Sequence, residues 1–397
     1  MFNKITIKDM KVTGKRVLLR ADFNVPLNSN HQITNDKRIR ESLPTIKYLL
    51  NEGAKIILCS HLGRPEGKYN PDYSMQPVAD RLRELLKKPI YLAKDVAGPD
   101  TFKLVRTLKD GDIILLENLR FEPGEEENSL DFAKNLASIA DIYCNDAFGT
   151  MHRAHASTSK IAELLPSCTG LLVEKELNVL GKTLNSPERP FVVITGGVKI
   201  KDKINLLSNL VENADIIMIG GAMAYTFMKA QGYNVGKSMV EKDKVPLAKL
   251  LLEKAENCGT KIILPVDNVV TKEFNFAAES IIVPTDNIPR NAIGMDIGPK
   301  TVAKFRHYIT RAKTVFWNGP MGVFEFQKFA KGTNSIAKAM ASTSATTIVG
   351  GGDSAFAIES LELQDKISHV STGGGAALKF LEGAVLPGLE AIKEKVM

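Results

Sequence analysis

Residues 16–24, RVLLRADFN, set a short apolar run ahead of Arg20, Asp22 and Asn24. The pattern returns in AKIILCSHLG (54–63), DIILLENLR (112–120) and ADIYCNDAFG (140–149), and helical stretches separate the copies. Near-continuous apolar strands alternating with helices mark a parallel sheet covered on both faces. A second series follows in PFVVITGG (190–197), ADIIMIGGAM (214–223), KIILPVDN (261–268), TVFWNGP (314–320) and TTIVGGGD (346–353). Two series predict two doubly wound α/β domains. VEKELNVLGKTLNS (173–186) reads as a helix ahead of the breaker PERP (187–190). The expected division is 1–170, a connecting helix 171–186, and 187–379.

A chain of 397 residues exceeds one ordinary core, which agrees with two domains. Its 44% hydrophobic and 24% charged content is that of a soluble globular protein. No apolar run reaches the roughly 20 residues of a membrane span, and the charged N-terminus carries no signal-peptide core. Cys59, Cys144, Cys168 and Cys258 form no CxxC pair, so a reducing cytoplasm is expected. The net charge of +7 favours anionic ligands, but the lysines are scattered and not interleaved with aromatics, so no nucleic-acid partner is expected.

The two halves differ in chemistry. Residues 1–170 hold ten of the 14 arginines, and residues 171–397 hold 21 of the 30 glycines. Arginine reads phosphate and carboxylate with two parallel bonds, whereas glycine lets backbone N–H groups approach phosphates. A small anionic substrate is therefore expected on the first domain and a nucleotide on the second. In a doubly wound sheet, ligands bind beyond the carboxyl ends of the strands. There the first series places Arg20, Asp22 and Asn24, then His61 and Arg64, then Arg120, then Arg153, while Arg38 in TNDKRIR (34–40) opens a helix.

In NDAFGTMHRAHAS (145–157), His152 and His155 lack the further ligands a zinc site needs. Arg153 between them is the expected phosphate ligand. The histidines either fix the loop or touch substrate. FEPGEEENS (121–129) reads as a solvated acidic loop without chemistry.

In the second half, VVITGGVKIKDKI (192–204) spaces Lys199 and Lys203 as i, i+4, which on a helix puts both on one face. IVGGGDSAFAI (348–358) offers a helix start with Asp353 placed for Mg²⁺, and VSTGGGAALKFLEG (370–383) repeats the arrangement. Glu325 in WNGPMGVFE (317–325) is suited to accept from a ribose hydroxyl. GMDIGPKT (294–301) is one residue short of a Walker A loop, and no GxGxxG follows the first strand, so neither fingerprint is met. That absence weighs against a nicotinamide oxidoreductase.

RADFNVP, SHLGRP, LLENLRF, NDAFGTMHRAH, SPERPF, WNGPMGVFE, GGGDS and VSTGGGA occur in this order over nearly the whole chain. The sequence resembles the phosphoglycerate kinase family. The resemblance implies two Rossmann-like domains joined by a helix, with a deep interdomain cleft that closes by hinge bending. It also implies that the C-terminal tail, from about residue 380, returns to the first domain. The implied reaction is reversible transfer, 1,3-bisphosphoglycerate and ADP to 3-phosphoglycerate and ATP with Mg²⁺, in a cytoplasmic, monomeric enzyme of glycolysis. Carried onto this chain, Asp22, Phe23, Asn24, Arg38, His61, Leu62, Gly63, Arg64, Arg120 and Arg153 match the phosphoglycerate positions. Gly196, Gly197, Lys203, Gly220, Gly221, Gly294, Asn318, Pro320, Glu325, Gly351, Gly352, Asp353 and Ser354 match the nucleotide positions, Asp353 also serving the metal. Arg38, Lys199, Lys203 and Gly374 match the groups around the transferring phosphoryl. Val198 stands where the family's GGAK has alanine, and IGMD (293–296) replaces MGLD.

Overall fold

The computed structural model describes residues 3–395. The chain divides into two compact units: the described residues up to Asn178 with those from Val385 onward, and Val179–Ala384. The helix Leu171–Asn185 runs from one into the other, so the division falls inside the helix.

The first unit holds β1 (Arg16–Arg20), β2 (Lys55–Cys59), β3 (Tyr91–Leu92), β4 (Ile113–Leu115), β5 (Ile142–Asn145) and β6 (Ser167–Thr169). They form one parallel sheet in the order β3-β4-β2-β1-β5-β6. The central strands are buried on both faces, which explains why they read as unbroken apolar runs rather than alternating ones. Val17, Leu19, Ile56, Leu58, Ile113 and Cys144 share one core with the helices Lys37–Asn51 and Gln76–Leu86. Chain order and sheet order together put the ends of β4, β2, β1 and β5 side by side along one edge.

The second unit repeats the plan with β7 (Phe191–Thr195), β8 (Ile216–Ile219) and β9 (Lys261–Ile263). It then inserts β10 (Asp267–Thr271), β11 (Ser280–Pro284) and β12 (Ile293–Ile297) before β13 (Thr314–Asn318), β14 (Thr346–Gly350) and β15 (His369–Val370). The parallel sheet runs β15-β14-β13-β7-β8-β9, while β10, β11 and β12 make a separate antiparallel sheet in the order β11-β10-β12. KIILPVDN is thus not one strand. Pro265 lacks the N–H a central ladder needs, and the chain leaves the parallel sheet there to start the insert.

The connecting helix starts where it does because its free N–H groups find acceptors outside the helix. Leu172 N and Val173 N donate to Asp146 Oδ1 at 2.9 and 3.2 Å, and Leu171 N donates to Thr45 Oγ1 at 2.9 Å. Asp146 is fully buried, its Oδ2 has no partner, and burial pushes its carboxyl up to about 7 against those hydrogen bonds.

Candidate functional site

Beyond the first-unit strand ends the polar side chains knit into one cluster. Arg38, in the first turn of the helix Lys37–Asn51, donates from Nη1 to Asp22 Oδ1 and to Asn24 O, both at 3.1 Å. Asn24 Oδ1 accepts from Gly63 N at 2.9 Å, tying the β1 loop to the β2 loop. Arg120 donates from Nη1 to Gly63 O at 2.8 Å and pairs through Nη2 with Glu126 at 3.0 Å, while its buried Nε has no protein partner. Arg64 is exposed and makes no ion pair or hydrogen bond among the described residues. Phe23 and Leu62 sit in the core, and their N–H groups are committed to Ser60 Oγ and Asn118 Oδ1. Their role is to hold the loops that carry Asp22, Asn24 and Gly63.

The charges of several arginines reach the same histidines. His61 is buried and held neutral far below the ordinary histidine range, first by desolvation and then by the charges of Arg20, Arg120, Arg153 and Arg38. His155 is pushed down to about 4 by burial and by Arg120, Arg20 and Arg153. Arg153 Nε lies 3.4 Å from His152 Nε2. Both histidines therefore belong to the loop beside the arginines, and among the described residues no three His, Cys, Asp or Glu side chains gather as a metal site.

The acidic loop departs from the expected solvated surface at one residue, since Glu122, Glu126 and Glu127 are exposed but Glu125 is not. Glu125 is fully buried and accepts from Ser157 N at 2.9 Å and from Ser157 Oγ at 2.6 Å. Ser157 Oγ accepts in turn from Arg20 Nε at 3.0 Å, and Arg20 reaches His61 Nδ1 through Nη2 at 3.3 Å. Glu126 stays exposed but pairs with Arg120, so of the three consecutive glutamates one is buried behind Ser157 and one holds an arginine from the solvent side. An open groove of about 930 Å³ lies elsewhere in this unit; Asp36, Asp72, Asp80 and Glu84 outnumber Arg81 in its lining, so it would repel an anion.

In the second unit a cavity of about 460 Å³ opens beyond the strand ends. Of the residues expected from sequence, Gly197, Gly221, Gly294, Pro320, Glu325 and Asp353 line it. Tyr225, Lys237, Met239, Asn268 and Phe274 also line it and were not read from the sequence. Asn268 and Gly294 come from the antiparallel insert, and Tyr225 Oη donates to Asn268 Oδ1 at 3.2 Å. A Cβ on Gly294 would stand 1.8 Å from that hydroxyl, so any side chain here would force the Tyr225 ring to move.

Gly196, Gly220, Asn318, Gly351, Gly352 and Ser354 do not line the cavity. Several fasten one turn to the next: Gly196 N donates to Asn318 O at 3.0 Å, and Ser354 Oγ accepts from Gly319 N at 2.6 Å. A Cβ on Gly196 would meet Pro320 O at 2.0 Å, so this glycine lets two loop backbones touch. Gly374 precedes the helix Gly375–Leu381 with φ 48° and ψ −118°.

The two lysines do not share a helix face. Lys199 is extended (φ −117°, ψ 132°) and exposed, a 3₁₀ turn covers Ile200–Asp202, and the α-helix begins only at Ile204. The turn at Gly197 (φ 111°) delays the helix and separates the side chains. Lys203 alone folds inward, its Nζ donating to Asn318 O at 3.4 Å. Desolvation lowers it to about 8, opposed by Asp353 and Asp202. Asp353 is exposed in the first turn of the helix Gly352–Ser360, close enough to Lys203 for its charge to be felt there.

A family model described as phosphoglycerate kinase matches residues 7–384. Phosphoglycerate kinase of Clostridium novyi is 54% identical over 396 residues, covering 99% of each chain. That of Chlorobium chlorochromatii is 55% identical over 393 residues, 98% of this chain and 99% of its own. The solved phosphoglycerate kinase of Coxiella burnetii superposes with a TM-score of 0.89 at 39% identity, and that of Pyrococcus horikoshii with 0.83 at 34%, each covering 98% of both chains. The chain belongs to the phosphoglycerate kinase family.

Proposed function

We propose that the chain carries out the phosphoglycerate kinase reaction with its two ligands on different units. The activity is reversible phosphoryl transfer between 1,3-bisphosphoglycerate with ADP and 3-phosphoglycerate with ATP, a glycolytic phosphotransfer to a carboxyl acceptor. The arginine cluster of the first unit holds phosphoglycerate, and the cavity of the second holds the nucleotide. One observation carries the reading of the first site: Arg20 at the end of β1, Arg38 at a helix start, and Arg120 and Arg153 in the segments after β4 and β5 all act on a single buried, neutral His61. Asp22, Glu125 and Glu126 offset only part of that charge, and the remainder suits an anion.

Arg64, Arg120 and Arg153 take the phosphate that does not move; Arg120 Nε is already desolvated and lacks an acceptor. Arg38, oriented by Asp22 and Asn24, faces the carboxyl end. The acceptor is a carboxylate with an ordinary pKa of about 4, ionised at neutral pH, so no base is needed to activate it. Catalysis then rests on positioning and on charge stabilisation by Arg38, Lys199, Lys203 and backbone N–H groups near Gly374.

The cavity takes the nucleoside, with Glu325 of its wall accepting from the ribose; Lys203, which does not line the cavity but lies near Asp353 of its wall, meets the phosphates. Asp353, exposed and making no side-chain hydrogen bond or close ion pair among the described residues, fits the single carboxylate that commonly holds nucleotide-bound Mg²⁺. When bound, Mg²⁺ would neutralise phosphate charge. No helix among the described residues is long and apolar enough to cross a membrane. A cytoplasmic monomer is our reading; four free cysteines, three of them buried, support the reducing compartment. A coupled assay for ATP made from 1,3-bisphosphoglycerate and ADP tests the activity; a folded, inactive chain would overturn it.

A further inference from the structure

We propose that Glu125 is a positioning residue of the phosphoglycerate site: through Ser157 and Arg20 it fixes His61 as one neutral tautomer whose Nε2–H is offered to the substrate. The inference rests on the reading that the arginine cluster holds phosphoglycerate.

The chain of contacts has a forced polarity. An arginine side chain only donates, so the contact between Arg20 Nη2 and His61 Nδ1 at 3.3 Å requires a lone pair on Nδ1. The ring proton must then sit on Nε2, for which no protein acceptor is found among the described residues. A doubly protonated ring would turn Nδ1 into a donor facing a guanidinium, and the four surrounding arginines oppose that charge. Arg20 can hold this contact only if it is itself held. It is almost fully buried, its Nη1 bonds Ala21 O, and its Nε donates to Ser157 Oγ at 3.0 Å. That hydroxyl has one proton, and the 2.6 Å contact to Glu125 Oε1 uses it, leaving the lone pair that Arg20 needs. Ser157 is clamped from the other side as well, since Tyr143 Oη donates to Ser157 O at 2.6 Å.

Glu125 thus does two jobs that a neutral side chain would not. It orients the serine hydroxyl, and it supplies the anion that makes burial of Arg20 tolerable. The charged groups facing it are Arg20, Arg120 and, at 3.9 Å, the ring of His155. None of them reaches Glu125 by a direct hydrogen bond, so Ser157 is the link. The position lies five residues beyond Arg120, on the short helix Pro123–Glu126 that also carries the partner of Arg120. One loop therefore supports two arginines of the site from behind.

Long-range ¹H–¹⁵N correlation of the imidazoles in the full-length, ligand-free protein tests the relay, with His61→Gln assigning the signal. The expected result is an unprotonated Nδ1 and a protonated Nε2 that do not titrate between about pH 6 and 8. A ring protonated on Nδ1, or one that titrates as imidazolium in that range, overturns the proposal. In Glu125→Gln, His61 is expected to lose its single tautomer, and 3-phosphoglycerate binding to weaken about tenfold or more while ATP binding stays within about twofold. Ser157→Ala, which keeps the backbone bond to Glu125 but cuts the link, carries the same expectation should Glu125→Gln not fold. A folded variant with His61 unaltered and 3-phosphoglycerate affinity intact refutes the relay. Wild-type protein that binds no 3-phosphoglycerate through the arginines refutes the site reading instead, and the tautomer of the ligand-free protein separates the two.

Discussion

Raising the pH from 7 to 9 should weaken nucleotide binding through Lys203 alone. Desolvation lowers this lysine to about 8 in the ligand-free protein, below the ordinary value near 10.4, so it is charged at pH 7 and mostly neutral at pH 9. A triphosphate beside it favours the charged form and lifts the bound-state pKa well above 9. By linkage, the apparent dissociation constant then scales as 1 + 10^(pH − 8), which is about 1.1 at pH 7 and about 11 at pH 9. The expected loss is roughly tenfold, or about 1.4 kcal/mol. Titration calorimetry of Mg-ATP across this range, where its phosphates are already ionised, measures the loss directly. Lys203→Arg, whose charge persists throughout, should flatten the profile. An affinity in the wild type that is level or rises with pH would refute the argument, because it would mean that Lys203 does not face phosphate.

Asp146→Asn should stabilise the protein above neutrality. The folded pKa of about 7 lies above the ordinary 3.9, so wild-type stability falls as pH rises from about 4 to 7 and then levels off, and in denaturant titrations the variant's advantage should grow over that window to about 2–4 kcal/mol. Ser354→Ala removes the acceptor of a buried N–H, that of Gly319, and should cost about 1–3 kcal/mol of unfolding free energy by the same method; an unchanged denaturation midpoint would contradict the bond. Arg120→Lys keeps the charge but loses the fork that holds Gly63 O and Glu126 together, so calorimetry should show 3-phosphoglycerate binding reduced about tenfold; full affinity would mean that charge alone suffices.

The strand ends were legible because each apolar run stops at a polar residue, and parallel strands align those stops along one edge. Asp22, Asn24, His61 and Arg120 could be found in this way. Glu125 could not. Three consecutive glutamates carry no periodicity, and what buries the first of them is Ser157, 32 positions away, with Arg20 behind it. The spacing of Lys199 and Lys203 misled because i, i+4 means one face only inside an α-helix, and the helix starts at Ile204, after both lysines. The antiparallel insert escaped notice because KIILPVDN joins two strands of different sheets across Pro265, so the cavity walls it contributes, Asn268 and Gly294, were either missed or placed without context. The glycines of the second unit were expected against phosphates; Gly196 is required for a different reason, the contact of one turn with the next.

The assignment of one ligand to each unit is tested most directly by a crossed calorimetric titration of two variants, Arg64→Ala and Lys203→Met, each with 3-phosphoglycerate and with Mg-ATP. Arg64 is exposed and without protein partners among the described residues, so its loss should leave the fold intact. The account predicts that Arg64→Ala weakens 3-phosphoglycerate at least tenfold and leaves Mg-ATP unchanged, and that Lys203→Met does the reverse. Loss of Mg-ATP binding in Arg64→Ala with 3-phosphoglycerate retained, or the opposite exchange in Lys203→Met, would contradict it.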